Sequence, residues 1–526
     1  MTRDLANALA EGLRDAGVTT IFGMPGGGPN LDMIMSAQTC GIDFVLAHSE
    51  TAACMMAATH GRVTGGVGVA IVTRGPGLTN AVNGLAQATL DRYPLLLISD
   101  AVPATQAERV AHQRLDQVAV AEPVTKWSGV LGSAQPGASV AAAVALATTA
   151  PRGAVHLTFD STQEGSVPAA PPANVPTSAD AIAEARELVA SAARPLIIVG
   201  VDCVTEAALV RGFLASVEVP ILLTYEAAGV VPASWSTYAG FFTGVAADRA
   251  LLSEADLIIG IGLDPVEPMP GPWGDGAATL LLHSHAAETT YFTGSTALTG
   301  DYAHLLAETL GALTTQWRPS TGIPVMDAAL MALPSNSALR PQDVVDVVRE
   351  ACPSAIATVD AGAHMLVAMP LWRCEEPNTL LISNGLATMG FGLPAAIGAA
   401  VARPESRVVC FTGDGGLGMV LSELEVLARR RLNLTVVVFN DATLTLIKLK
   451  QAADQQGETT VGYELTDFAK VGEAMGIAGR IVRTPEELSA AVRELDGQPG
   501  IIDCRVDPAD YVAIIATARS NGPATS

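Results

Sequence analysis

The sequence predicts an α/β protein built as three doubly wound parallel-sheet domains. Short, mostly apolar runs alternate with helical patterns along the whole chain. Runs of this length and composition are typical of parallel strands that are buried on both faces by helices. The chain has 526 residues, of which 49% are hydrophobic and 16% charged, so a core large enough for several domains is available.

Each predicted strand is bounded by turn residues or by a helical pattern. The candidates are DFVLA, VGVAIVT, PLLLISD, AVHLTFD, PLIIVG, ADLIIGIG, RVVCFTG, LTVVVFN and GIIDCRV. The N-terminal stretch MTRDLANALAEGLRDAG has the apolar spacing of an amphipathic helix. It lacks the basic and then apolar layout of a signal peptide.

Two proline-rich stretches divide the chain. VPAAPPANVPTSAD, at 167–180, is typical of an exposed linker, and the longer stretch at 316–343 is predicted to be a second, partly helical connection. The predicted domains are therefore residues 1–165, 178–312 and 340–510.

Charge and cysteine usage narrow the class of protein. The formal net charge is −23, which disfavours nucleic acid and anionic membrane surfaces as partners. No uncharged apolar run reaches the ~18 residues of a membrane span. The 7 cysteines are scattered without a C-x-x-C motif, which favours reduced thiols and a cytoplasmic protein.

The stretch FTGDGGLGM, at 411–419, contains the G-x-G-x-x-G pattern of a dinucleotide-binding turn. A strand pattern precedes it, and LGMVLSELEVLARRR, which follows, predicts a helix. The pattern alone leaves three interpretations: a dinucleotide turn, a metal-diphosphate site or a structural glycine turn.

Asp414 favours the metal-diphosphate interpretation, because a carboxylate would repel a pyrophosphate unless a divalent cation lay between them. The next predicted strand ends at Asn440 and Asp441. A right-handed crossover would bring the carboxyl ends of both strands to one edge of a sheet. Asp414 and Asp441 are then expected to project toward one point, as ligands of Mg²⁺.

At this point the sequence resembles the thiamine diphosphate (ThDP) enzymes of the acetolactate synthase, benzoylformate decarboxylase and benzaldehyde lyase group. The family's G-D-G motif followed by Asn-Asn is represented by Gly413-Asp414-Gly415 and by Asn440-Asp441. Further segments similar to the family occur in the expected order: FGMPGGG, AHSETAA, TRGPGLTNAVNGLAQA, PLLLISD, HQRLDQVAVAEPVTKW and NGLATMGFGLPAAIG.

The resemblance implies the ThDP-binding fold, with pyrimidine-binding, central and diphosphate-binding domains in that order. It implies Glu50 as the carboxylic acid that activates the cofactor's pyrimidine, and Asn80 as a neighbour of that ring. It also implies Met389 as the apolar wedge that bends the cofactor and Ala387 as the residue whose carbonyl accepts a hydrogen bond from the cofactor's amino group. The residues implied for the diphosphate are His364, Gly413, Gly415 and Gly416.

The metal ligands implied by the resemblance are Asp414, Asp441 and the carbonyl of Thr443. Asp441 departs from the family, whose motif has a second Asn there. Because Asp is an equally hard oxygen donor, the Mg²⁺ site is expected to survive with changed affinity and pH dependence. A flavin site, known in some relatives, is not visible in the sequence, so FAD stays an open question.

The reaction-determining positions resemble lyases and synthases. Gln113 matches a glutamine that bonds the reacting oxygen, and His112 is a candidate proton donor beside it. The other residues expected in the substrate pocket are Gly27, Gly28, Thr73, Leu446 and Ile447. Glu267 is a weaker candidate from the central domain.

The resemblance therefore implies a ThDP- and Mg²⁺-dependent carboligase or lyase, a transferase or lyase of 2-oxo acids or 2-hydroxyketones. It would act through a C2 ylide and an enamine. Two alternatives stay open: a benzoylformate decarboxylase-like enzyme that releases an aldehyde, and a catalytically silent ThDP-binding partner protein. The family builds each site from two subunits, which implies at least a homodimer and allows a tetramer.

Overall fold

The fold was obtained as a computed structural model. It describes residues 2–170, 177–243, 246–267, 276–286, 295–311, 313–317, 325–453 and 461–519. Strands form three parallel six-stranded sheets, one in each third of the chain. The predicted fold class, with three parallel sheets and interleaved helices, is confirmed.

The N-terminal unit holds the first sheet, whose strand order is β2-β1-β3-β4-β6-β5. Its strands are β1 Thr20–Gly23, β2 Asp43–Leu46, β3 Gly68–Val72, β4 Leu95–Asp100, β5 Trp127–Leu131 and β6 Ala154–Phe159. Its helices are α1 Thr2–Asp15, α2 Pro29–Thr39, α3 Glu50–Thr64, α4 Pro76–Leu90, α5 Gln117–Ala121 and α6 Pro136–Thr148.

The central unit holds the second sheet, whose strand order is β12-β11-β10-β7-β8-β9. Its strands are β7 Pro195–Val199, β8 Ile221–Leu223, β9 Tyr238–Phe241, β10 Leu257–Ile261, β11 Ala278–His283 and β12 Thr296–Thr299. Its helices are α7 Ala179–Ser191, α8 Ala207–Leu214, α9 Ala246–Glu254 and α10 Tyr302–Leu310, and α11 Val325–Met331 lies in the connection that follows.

The C-terminal unit holds the third sheet, whose strand order is β14-β13-β15-β16-β18-β17. Its strands are β13 Ile356–Val359, β14 Leu380–Ile382, β15 Val408–Gly413, β16 Leu434–Asn440, β17 Ala478–Val482 and β18 Gly500–Arg505. Its helices are α12 Pro341–Ala351, α13 Met365–Leu371, α14 Gly392–Ala402, α15 Asp414–Met419, α16 Leu424–Arg430, α17 Thr445–Ala453, α18 Phe468–Ala474, α19 Pro485–Glu494 and α20 Asp510–Arg519.

The N-terminal and C-terminal sheets have the same strand order. In each sheet, the strand that comes first in the sequence lies between the second and the third. The crossover connections on its two sides therefore run in opposite directions across the sheet. Ligands of open α/β sheets bind in the crevice at the carboxyl ends of such strands. In the N-terminal unit this crevice follows β1 and β3, and in the C-terminal unit it follows β13 and β15.

Helices α3 and α14 join the N-terminal and C-terminal units through small side chains. A Cβ atom at Gly398 would lie 2.2 Å from the carbonyl oxygen of Met56, so the two backbones approach closely. Buried alanines of both helices belong to one apolar core. This packing fixes where α3, which begins at Glu50, lies against the C-terminal unit.

The predicted helix after the glycine turn is interrupted. Helix α15 ends at Met419, Val420 leaves the helical region with φ −130°, and α16 begins at Leu424. Glycine stabilises a helix poorly, and three of the six residues of α15 are glycine.

The proposed domain limits stay predictions, and 171–176 of the first linker lies outside the described residues. Across the described ranges, no helix has the length and apolar character that a membrane span requires.

Candidate active site

A cavity of about 380 Å³ lies at the crevice after β13 and β15. Its lining comes entirely from the C-terminal unit. Among the residues predicted for the site, it contains Ala387, Met389, Asp414, Asp441, Thr443 and both Leu446 and Ile447, together with His364 and residues 413–416. The structure therefore brings the predicted diphosphate and metal residues together.

Asp414 and Asp441 reach this cavity from neighbouring strands, because β15 and β16 pair in parallel. Asp414 Oδ1 accepts a hydrogen bond from Gly415 N at 2.6 Å, whereas the buried Oδ2 has no partner among the described residues. Burial raises the pKa of both carboxyls, that of Asp441 to about 6, and the charge of Asp414 adds to the shift at Asp441. Two adjacent half-buried carboxylates of this kind favour a bound cation.

The loop after β16 holds Asp441 in a tight turn. Its Oδ1 accepts from Thr443 N at 3.1 Å, and its Oδ2 accepts from the hydroxyl of Thr445. Thr443 also donates its hydroxyl to Val461 O at 3.0 Å, which fixes the residue whose carbonyl is the predicted third ligand.

His364 is buried beside the glycine turn. Its ring stacks on Phe439 with centroids 5.3 Å apart, and its Nε2 finds no partner within the described ranges. Burial lowers the pKa of His364 to about 4, so at neutral pH the ring is uncharged and one nitrogen can donate a hydrogen bond. A Cβ atom at Gly413 would lie 3.3 Å from His364 Nδ1, so the ring borders the turn.

These residues fit a metal-bound diphosphate. Asp414 Oδ2 and His364 Nε2 are both buried, both lack a protein partner among the described residues, and both line the same cavity. No group of three or more His, Cys, Asp or Glu side chains in the described ranges could hold a metal. A cation there would need backbone or phosphate oxygens besides the two carboxylates, which suits Mg²⁺.

Asp360, which sequence reasoning missed, organises the cavity wall. Its buried carboxylate accepts from Ala361 N at 2.8 Å, from Gly390 N at 2.9 Å and from the Thr412 hydroxyl at 3.0 Å. A Cβ atom at Gly416 would lie 2.3 Å from Asp360 Oδ2. Its position directly after β13, at the same sheet edge as Asp414, was the available signal.

The turn held by Asp360 carries Ala387 and Met389. Ala387 has a φ of 53°, a strained conformation for a residue with a Cβ atom, and such strain concentrates at functional sites. Met389 is half-buried and its Cε lies 3.5 Å from the position of a Cβ atom at Gly415. The apolar side chain therefore lies directly beside the glycine turn, and its role as the wedge stays a prediction.

A second set of predicted residues gathers at the crevice of the N-terminal sheet. Glu50 is buried at the start of α3, where Ser49 caps the helix by accepting from Ala52 N. Asn80 Nδ2 donates to Glu50 Oε2 at 3.2 Å. A Cβ atom at Gly77 would lie 2.9 Å from Thr73 Cγ2 and 3.5 Å from Glu50 Oε1, so Thr73 lies nearby.

The loop after β4 reaches the same crevice. A Cβ atom at Gly75 would lie 3.0 Å from Gln113 Cβ, and Gln113 adopts a φ of 56°. His112 is exposed, and so are Gly27 and Gly28 in the loop after β1.

The described chain does not join the two sets in one cavity. The N-terminal and C-terminal units contact each other where Asn83 of α4 donates to the Thr388 hydroxyl at 3.1 Å. Among the described residues, however, none from the N-terminal unit lines the cavity of the C-terminal unit.

Glu267 lies elsewhere, in the central unit. It accepts from the amides of Val201 and Asp264 at 3.3 Å, and burial raises its pKa to about 8.

Comparison with known proteins identifies the same three units. The thiamine pyrophosphate enzyme N-terminal TPP binding domain matches residues 3–120, the central domain matches 182–307, and the C-terminal TPP binding domain matches 360–504.

Similarity to individual proteins extends over nearly the whole chain. The acetolactate synthase of Bacillus subtilis (strain 168) is 29% identical, and the aligned region covers 96% of this chain and 94% of that protein. The acetolactate synthase large subunit of Parasynechococcus marenigrum (strain WH8102) is 30% identical, and the aligned region covers 95% of this chain and 87% of that protein. The isozyme 2 large subunit of Escherichia coli (strain K12) is 29% identical, with 96% of each chain covered.

Proposed function

The chain belongs to the thiamine pyrophosphate enzyme family, and on that premise we propose that it is a ThDP- and Mg²⁺-dependent carboligase of the acetolactate synthase type, acting on 2-oxo acids. The observation that carries the proposal is the cavity in which Asp414 Oδ2 and His364 Nε2 lie beside a glycine turn without a hydrogen-bond partner in the described part of the chain. Full-length similarity to acetolactate synthases supports the reaction class.

The C-terminal residues bind and orient the cofactor. Asp414, Asp441 and the Thr443 carbonyl would hold Mg²⁺, and His364 with the amides of Gly415 and Gly416 would hold the diphosphate. Met389 presents an apolar surface beside that turn. Leu446 and Ile447, at the start of α17, present apolar side chains to the same cavity and would exclude water.

The N-terminal residues would supply the carboxyl group that exchanges a proton with the cofactor. When bound, ThDP supplies a thiazolium carbon that, once deprotonated, accepts the electron pair released from a 2-oxo acid. The buried Glu50 carboxyl would exchange its proton with the pyrimidine ring nitrogen N1′. The hydrogen bond from Asn80 Nδ2 to Oε2 leaves Oε1 for that ring.

Gln113 supports carboligation over simple decarboxylation. An amide can donate a hydrogen bond to a reacting oxygen, but it has no proton to release at neutral pH. Release of an aldehyde instead requires a proton donor, and His112, the nearest candidate in sequence, is exposed. A benzoylformate decarboxylase-like reaction is therefore the second candidate. FAD has no part in the proposal.

We also propose a homodimer, in which the N-terminal set of one subunit faces the C-terminal cavity of the other. Large apolar side chains are exposed near both sets: Ile447 is 43% exposed and Tyr463 52%, while Met24 is 36% and Leu31 45% exposed. Burial of these side chains in an interface would be favourable.

The cysteines are all free, which supports a cytoplasmic location.

Product analysis tests the proposal. The purified protein is incubated with ThDP, Mg²⁺ and pyruvate, and then with a panel of other 2-oxo acids. CO₂ together with a hydroxyketone product is the expected result. CO₂ with only an aldehyde would identify the decarboxylase, and cofactor binding without turnover of any substrate would identify a silent partner protein.

A further inference from the structure

A buried carboxylate of the C-terminal unit holds the loop that carries Glu50. The backbone N–H of His48 donates to Glu423 Oε1 at 3.1 Å and to Oε2 at 3.2 Å. Glu423 is 1% exposed. Burial raises its pKa to about 6, and the amides of His48 and Ser49 oppose that shift. An ionised acceptor bonded to backbone N–H groups is among the stronger hydrogen-bonding arrangements in proteins.

Glu423 lies close in sequence to the proposed metal ligand. Helix α15 begins at Asp414, the chain turns at Val420, and a short 3₁₀ turn spans Leu421–Glu423. The interruption of the predicted helix therefore has a consequence: it directs Glu423 toward the N-terminal unit. One short stretch of chain carries a cofactor-binding carboxylate at one end and this anchor at the other.

The contacts around Glu423 are more exposed. Glu425 Oε2 bonds His48 Nε2 at 2.9 Å, Arg429 donates to Leu46 O at 2.6 Å, and Arg430 pairs with Asp43. Exposed ion pairs of this kind contribute about 0–1 kcal/mol each. Glu423 is the buried member of the group, and its removal would leave the His48 and Ser49 amides without their acceptor.

We propose that Glu423 is a positioning residue for the reaction: by holding the backbone of His48 and Ser49, it sets the position of the Glu50 carboxyl. The proposal rests on the proposed function of Glu50. Ser49 caps α3 and Glu50 is its first residue, so a shift of the 48–49 backbone moves the carboxyl with it. In the proposed homodimer, Glu423 would also connect the cofactor-binding turn of one site to the acid of the other.

The test compares Glu423→Gln with the matched control Glu425→Gln, which makes the same substitution two residues away and also affects a contact to His48. Glu423→Gln keeps one acceptor oxygen, but it removes the charge and places an NH₂ donor in the position of the other oxygen, facing the backbone N–H groups. We therefore expect the 48–49 backbone to shift and kcat to fall about 10- to 100-fold, since displacement of a reacting group by ~1 Å has effects of this size. We expect KM for the substrate and the Kd for Mg²⁺ and ThDP to change less than kcat. Glu425→Gln is expected to retain kcat.

A readout without the cofactor separates positioning from general stability. In the apo protein, amide hydrogen exchange of the 47–52 segment is expected to accelerate in Glu423→Gln but not in Glu425→Gln. Glu423→Asp keeps the charge on a shorter side chain, so it should retain more of kcat than Glu423→Gln. If Glu423→Gln does not fold, Glu423→Asp replaces it as the test variant.

Two results would overturn the inference. One is unchanged kcat and unchanged amide exchange in Glu423→Gln. The other is a loss confined to ThDP affinity, which would place the effect in the cofactor-binding turn. If the wild type turns over no 2-oxo acid, the proposed function fails instead, while the amide exchange still reports whether Glu423 holds the loop.

Discussion

Asp441 is the residue at which this chain departs from the Asn-Asn motif of similar enzymes. It is half-buried, its carboxyl is bonded by Thr443 N and the Thr445 hydroxyl, and it lies close enough to Asp414 for the two charges to interact. Burial and that neighbouring charge raise its pKa to about 6. At the proposed Mg²⁺ site, a proton would therefore compete with the metal ion for this carboxyl in mildly acidic solution, whereas an asparagine amide would not take up that proton.

The substitution Asp441→Asn should change how Mg²⁺ binding depends on pH. In the wild type, affinity is expected to rise as pH increases through about 6, because the folded carboxyl loses its proton there. The variant should show a flatter profile below pH 7 and weaker binding above it, since it lacks one negative charge. Titration of Mg²⁺ with ThDP at several pH values measures this, and parallel profiles for both proteins would contradict it.

At the scale of elements, the glycine turn 413–416, at the end of β15, packs against Asp360, which follows the neighbouring strand β13. A Cβ atom at Gly416 would lie 2.3 Å from Asp360 Oδ2, whereas a Cβ atom at Gly418 would meet no other group of the described residues within 4 Å. Both glycines belong to α15, so they form a matched pair for one substitution.

We expect Gly416→Ala to displace the Asp360 carboxylate and the Gly390 turn, at a cost of about 1–3 kcal/mol in stability. ThDP affinity should fall at least tenfold, equivalent to about 1.4 kcal/mol. Gly418→Ala is expected to retain affinity and to gain stability, by up to about 1 kcal/mol, because alanine favours a helix. Thermal unfolding and cofactor titration measure both effects, and equal behaviour of the two variants would argue against the role of Asp360.

Much of this architecture could be predicted from the sequence, because buried parallel strands such as Leu257–Ile261 and Leu434–Asn440 are continuous apolar runs. Strands such as Thr296–Thr299, with only two apolar residues in four, carry too weak a signal. Asp360 and Glu423 were missed for a different reason. Their partners, Gly390 and His48, lie far away in sequence, so only the tertiary structure shows what each carboxylate holds.

For the whole molecule, the two sheets of identical strand order carry the two sets of residues that we propose to form one site. Glu50 and Asn80 lie at the crevice of the N-terminal sheet, and the cavity with Asp414 lies at the crevice of the C-terminal sheet. Since none of the described residues that line the cavity comes from the N-terminal unit, a second subunit is the proposed source of the missing part.

Mixed dimers test that arrangement. Glu50→Gln and Asp414→Asn should each be inactive alone. A tagged heterodimer of the two variants would contain one site with both substitutions and one intact site, so about half of the wild-type activity is expected from the two-fold symmetry. A heterodimer as inactive as either parent would show that each site is built within a single subunit.

The most direct test of the central claim, that Glu50 serves proton removal in a cofactor held by the C-terminal residues, is the rate of C2 proton exchange in bound ThDP. Rapid quenching in D₂O followed by NMR gives this rate for the wild type and for Glu50→Gln at saturating ThDP and Mg²⁺. The wild type is expected to exchange much faster than free ThDP, and Glu50→Gln to lose most of that acceleration while still binding the cofactor. Equal exchange rates in the two proteins would contradict the account.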